Sequence, residues 1–268
     1  MAGWEAVKFD TSKLSLRPLS DRESDVTMAE VLYKKPPITR PSDDVCAAIE
    51  NVARAVRAAR ANNKPVILFM GGHLIKSALG SYVSSLLEAG YITHVATNGA
   101  CIVHEWELVM HGATSESVAR YIDEGQFGLW RETSYVNDIV FRCVAHSPGR
   151  GLGHIVASRL YNHCCTTAGF SEGPPSPQYR GSVFASCYLH AVPLTCHVLL
   201  GGDINHSHPT FDGAAWGQAS HNDFLVFAEA VRGLNDGGVF ISIGSAVHGP
   251  EVFLKALSMA RNVGDCAG

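Results

Sequence analysis

No stretch of this sequence nears the ~18 consecutive apolar residues that span a bilayer, so no membrane segment is expected. The opening residues, Met1-Ala2-Gly3-Trp4-Glu5, show no charged start followed by an apolar run. No signal peptide is therefore expected, and a cytoplasmic location is the default. No CxxC pair occurs among the eight cysteines, and only Cys164-Cys165 are vicinal. Such scattered thiols are expected to be reduced core residues rather than disulfide or zinc partners. The chain also lacks a large charge excess, with 21 Lys and Arg against 25 Asp and Glu. Neither nucleic acid nor a membrane surface is expected as a partner. GxGxxG and GxxxxGK[ST] are both absent, which removes the common dinucleotide fingerprint and the P-loop.

What is present is a globular composition. Hydrophobic residues make up 46% of 268 residues and charged residues 17%, enough for one sizeable core and too apolar for a disordered chain. Residues 1–41 are broken by Arg17-Pro18, Lys34-Lys35-Pro36-Pro37 and Arg40-Pro41. They read as an irregular arm, either a tail or a strap on a neighbouring subunit. Residues 42–268 read as a single α/β domain without internal repeats or a linker.

Within that domain Ser42-Asp43-Asp44 predicts a helix start, with Val45, Ile49, Val52, Ala53 and Val56 on its apolar face. Pro65 to Met70 is a continuous apolar run, the pattern of a strand covered on both faces. Further strands are expected at 92–97, 193–200 and 238–243. Helices are expected at about 75–89, 103–111, 115–123, 127–143, 152–165, 181–190, 219–234 and from about 250. The Gly169 to Tyr179 stretch, rich in Gly, Pro and Ser, reads as a mobile surface loop. Strands alternating with helices predict a doubly wound, mostly parallel sheet with helices on both faces.

Each strand is followed by a small-residue turn: Gly71-Gly72-His73, Asn98-Gly99-Ala100, Gly201-Gly202 and Gly244-Ser245. Glycines there let a ligand approach the backbone, and a following helix offers N–H groups and a positive dipole end. Four such turns on one sheet edge predict a nucleotide-type crevice. Polar residues gather at the same edges: His73 and Lys76; His104, Glu105 and Glu107; Asp203, His206 and His208; His248 and Glu251. Imidazoles titrate near neutral pH and suit acid/base work. Asp203, His206 and His208 could equally supply three ligands to zinc or iron, although no HExxH or cysteine set completes that site. Lys76 could form a Schiff base or bind an anion.

In order, these pieces resemble the deoxyhypusine synthase family. Gly72-His73-Leu74-Ile75-Lys76-Ser77 is similar to its turn into the first crossover helix. Thr97-Asn98-Gly99 followed by His104-Glu105-Trp106-Glu107 is similar to its Thr-Ala-Gly turn and acidic cluster. His190-Ala191-Val192-Pro193 with Gly201-Gly202-Asp203, and Ile243-Gly244-Ser245-Ala246, match later strand ends. The likeness covers roughly Pro65 to Asn262. It implies a doubly wound fold, NAD at the strand ends, amine or polyamine chemistry, and a homotetramer with interfacial sites. The family's catalytic Trp-Gly-Lys segment has no counterpart before the sequence ends, so transfer to a protein lysine is not expected. The expected activity is a transferase or oxidoreductase acting on a small amine through an imine. Asp203, His206, His208, Glu105, His104 and Lys76 form its catalytic set, with Glu105 pairing a cationic substrate. A metal-dependent lyase or hydrolase, and a non-catalytic small-molecule binder, are the competing expectations.

Overall fold

The computed structural model describes residues 6–33, 39–167 and 177–264. In chain order the elements are β1 (Val26–Thr27), α1 (Met28–Tyr33), α2 (Asp43–Ala61), β2 (Val66–Met70), α3 (Gly72–Lys76), α4 (Gly80–Glu88), β3 (His94–Asn98), α5 (Gly99–His111), β4 (Ala113–Thr114), α6 (Val118–Asp123), α7 (Tyr135–His146), α8 (Leu152–Thr167), α9 (Val183–Leu189), β5 (Leu194–His197), α10 (Gly213–Arg232), β6 (Val239–Ile243) and α11 (His248–Asn262).

The central sheet has the order β5-β3-β2-β6 with every pairing parallel. The chain steps outward from β2 to β3 to β5, then returns to place β6 on the other side of β2. The order therefore reverses between β2 and β6, and open α/β sheets bind ligands at such a reversal. Period two along β2 sends Leu68 and Met70 into one core and Ile67 and Phe69 into another. The first core lies under α4, α5, α8 and α9, and the second lies under α10 and α11. Helices thus cover both faces, as the alternating sequence pattern predicts. Among the described residues no helix is long and apolar enough to cross a membrane.

Several boundaries differ from the sequence reading. The helix expected over 75–89 is two helices, because Ala78 takes a left-handed conformation (φ 59) between α3 and α4. The helix expected from Phe127 begins at Tyr135. Gly128 turns the chain at φ 73, and Trp130 pairs with Arg17. α10 starts six residues earlier than its apolar pattern, at an Asp212 whose side chain accepts from Ala215 N at 2.8 Å. β5 stops at His197, and Leu199 and Leu200 turn outward at 65% and 54% exposure. The loop expected from Gly169 lies, up to residue 176, outside the described residues.

α2 matches its predicted span, but of its residues only Ala59 is buried, and Val45, Ile49 and Val52 are half-exposed. The predicted apolar face is present, yet most of it is not covered by the rest of the described chain.

The described part of the arm is packed against the domain. β1 pairs antiparallel with β4, and Leu19 shares a small core with Tyr121 and Trp130. Arg22 is buried and donates through both terminal nitrogens to Glu107 at 2.8 and 2.9 Å. A paired ion in the interior fixes this segment under α5, because an unpaired one costs several kcal/mol.

Candidate functional site

At the carboxyl ends of β2, β3 and β5 lies a cleft of about 180 Å³. Lys76, His104, Glu107, Glu116, Arg22 and Asp203 supply its charged or titratable side chains. Ala100, Val103, Val118, Phe127 and Ile204 supply apolar walls.

Asp203 reaches the cleft because α5 begins on a glycine. A Cβ on Gly99 would stand 1.9 Å from Asp203 Oδ2, so the carboxyl occupies the space a side chain would take. It rests at the N-terminal end of α5, where the helix dipole favours negative charge. Burial acts the other way and raises its pKa to about 6. Oδ2 is buried with no hydrogen-bond partner.

His206 is built into the same loop. Its Nδ1 accepts from Gly201 N at 3.1 Å and from Asp203 N at 3.3 Å. With Nδ1 accepting, the neutral ring carries its proton on Nε2. That atom has no hydrogen-bond partner and lies 3.8 Å from Asp203 Oδ2. Burial lowers the His206 pKa to about 4.

The other predicted residues separate. His208 is buried, and its ring nitrogen Nε2 donates to Gly128 O at 2.7 Å, which ties the loop to the turn before Trp130. Glu105, expected to meet a cationic substrate, is wholly buried at the start of α9. There it accepts from Ser182 Oγ, Val183 N and Phe184 N, and burial raises its pKa to about 7. It caps a helix and does not face the cleft. Because His208 and His206 point to different partners, the alternative metal triad of Asp203, His206 and His208 does not converge. No group of three His, Cys, Asp or Glu that could hold a metal occurs among the described residues.

The glycine turns also differ in role from the sequence reading. A Cβ on Gly71 would fall 2.0 Å from Gly244 O, and one on Gly72 would fall 3.2 Å from the His104 ring. At Gly71, Gly72 and Gly99 the missing side chains admit this chain's own atoms. Gly201 and Gly244 differ, since positive φ values of 86 and 71 require glycine there. Asn98 accepts from Cys101 N and caps α5, while Ser245 Oγ accepts from Gly249 N at the start of α11. Ala100 and Gly202 line the cleft, and His73 is exposed on α3.

Arg22, Thr114 and Glu116 escape the sequence reading. Glu116 accepts from Trp130 Nε1 at 2.7 Å and Gly128 N at 3.1 Å, and burial raises its pKa. These residues come from the arm and from the segment after α5, far from any strand-end turn. No local pattern marks them.

No family model matches the chain, and no curated protein matches it significantly. Solved structures resemble it only distantly. ArgZ, an arginine dihydrolase from the cyanobacterial ornithine–ammonia cycle, superposes with a TM-score of 0.46 at 16% identity. That alignment covers 79% of this chain and 26% of ArgZ. AgrE in complex with ornithine and NAD+ gives 0.48 at 15% identity, covering 81% of this chain and 27% of AgrE. A putative LOR/SDH protein from Methanococcus maripaludis gives 0.44 at 13%, covering 98% and 69%. This chain therefore spans about a quarter of the length of ArgZ and AgrE. The chemistry of the cleft is read from its own geometry.

Proposed function

We propose that this chain is a cytoplasmic NAD-using enzyme acting on a small amine-bearing metabolite rather than on a protein lysine. The carrying observation is Asp203, a carboxyl with a pKa of about 6 and an unpartnered oxygen beside a cleft. Such a group attracts an ammonium and can take its proton near neutral pH. His206 Nε2–H, 3.8 Å from Asp203 Oδ2, favours the charged carboxylate. Lys76 offers a positive charge to an anionic part of the substrate or cofactor.

Support for the dinucleotide comes from the rim between β2 and β6, where the strand order reverses. Gly244 turns there without a side chain, and Ile243 and Val247 present exposed apolar surface, Val247 at 74%. Apolar surface left open at a strand-end reversal fits a nucleotide ring. When bound, NAD+ would accept a hydride from the amine-bearing carbon. The residues that would hold it are His73, Gly244, Ser245 and Val247.

A homo-oligomer belongs to the same reading, and the half-exposed Val45, Ile49 and Val52 of α2 support it.

Calorimetry and thermal shift with NAD+ test the proposal. Ligand at 100 times Kd is expected to add about 2.7 kcal/mol. Val247→Glu is expected to weaken NAD+ at least tenfold while the unliganded protein melts as before. No stabilisation at millimolar NAD+ overturns it.

A further inference from the structure

Glu107 lies beneath the cleft with donors on both oxygens. Arg22 Nη1 and Nη2 donate at 2.8 and 2.9 Å, Thr133 Oγ1 at 2.6 Å, and Thr114 Oγ1 at 2.8 Å. A carboxylate forked by a guanidinium accepts and does not donate. The one hydroxyl proton of Thr114 is therefore committed to Glu107. His104 Nδ1 lies 2.9 Å from the same Thr114 oxygen, which can now only accept from it. Nδ1 must carry the imidazole proton, and Nε2 must carry the lone pair.

That lone pair belongs to the cleft. His104 lines it, and the Cδ2–Nε2 edge lies over Gly72, where a Cβ would stand 3.6 Å from Nε2. Unlike His206 Nε2 and His208 Nδ1, His104 Nε2 is not among the buried unpartnered atoms. The ring also stays neutral. Burial lowers its pKa to about 4 against the pull of Glu107, and the positive charges of Lys76 and Arg22 also oppose a second proton.

We infer that Arg22, Glu107 and Thr114 form a hydrogen-bonded relay that fixes His104 as an acceptor, so the cleft selects a substrate group with an N–H or O–H to donate. This rests on the reading that the cleft binds substrate. His104 is the group that touches the ligand, and the relay members are positioning residues. Arg22 belongs to the segment before β1, so the relay also gives the arm a role at the site.

The test uses the full chain labelled with ¹⁵N-histidine, its His104 signals assigned through His104→Gln. Nδ1 is expected to be protonated and Nε2 unprotonated between pH 5 and pH 8. Butylammonium is expected to shift the Nε2 signal, and butyltrimethylammonium, a cation without an N–H, to bind at least fivefold more weakly. Thr114→Val is expected to release the tautomer and weaken butylammonium at least fivefold, while Thr114→Ser keeps both within twofold. A proton on Nε2 in the unaltered chain overturns the inference. So does an Nε2 signal unmoved by butylammonium, or equal binding of the two cations. NAD+ titration of the same samples reads the proposed function separately, because dinucleotide binding can fail while the tautomer stands.

Discussion

His206 Nε2 stands 3.8 Å from Asp203 Oδ2, and neither atom has a hydrogen-bond partner. Two backbone N–H groups hold His206 Nδ1, so the neutral ring carries its proton on Nε2, the nitrogen nearer the carboxylate. A donor and an acceptor left this far apart inside the chain form a contact that a bound ligand can tighten.

Asp203 should make stability depend on pH with a definite sign. Its folded pKa of about 6 lies above the ~3.9 of an unfolded aspartate. The folded state holds the proton more tightly, so stability falls as pH rises from about 4 to about 6, then levels. Asp203→Asn removes that loss and is expected to be more stable than the unaltered chain by about 2–3 kcal/mol above pH 7. The two should be nearly equal at pH 4. Glu105 and Asp223, whose pKa values burial raises to about 7, remain in both proteins and cancel in the difference. Urea melts across pH 4–8 read it.

Arg22→Met should be severely destabilising. It strands Glu107 in the interior without its cation, at a cost of about 3–5 kcal/mol. Arg22→Met combined with Glu107→Leu should recover most of that loss while still releasing His104, since Thr114 loses its acceptor. Denaturant midpoints give the first effect, and the His104 nitrogen shifts give the second.

Gly99→Ala should act on the site through sterics. The new Cβ falls on Asp203 Oδ2 and must push the carboxyl off the end of α5. Overpacking of this kind costs about 1–3 kcal/mol. Amine binding should weaken together with stability. Gly201→Ala meets no atom within 4 Å but requires φ 86, so it should cost stability through backbone strain and leave Asp203 in place.

Glu105→Gln distinguishes helix capping from substrate binding. The amide cannot accept from Ser182, Val183 and Phe184 as the carboxylate does. A loss of about 1–3 kcal/mol is expected. Butylammonium affinity should stay within twofold, because Glu105 does not line the cleft.

The sheet was the most legible part of this protein. Val66 to Met70 is apolar throughout and buried throughout, and a run of that kind has few other homes. The strand-end turns were legible for a related reason, since glycine and asparagine punctuate a chain through local backbone preference. Their purpose was not. Gly71 and Gly99 look alike in sequence, but one admits a backbone carbonyl of the neighbouring turn and the other admits a carboxylate from over a hundred residues away.

The same division runs through the site. Local sequence determined that Asp203, His206 and His208 share one loop, and the loop's polarity follows from that alone. Only the tertiary structure decided that Asp203 enters the cleft and that His208 turns to Gly128. Likewise Glu105 and Glu107 are two residues apart on α5, so helical geometry sends them to different faces. Which face meets the α9 cap and which meets Arg22 depends on contacts 77 and 85 residues away. Periodicity and turn chemistry act over a few residues and can be read along a chain. A side chain's protonation and partners depend on the groups that packing brings to it, and those come from anywhere in the sequence.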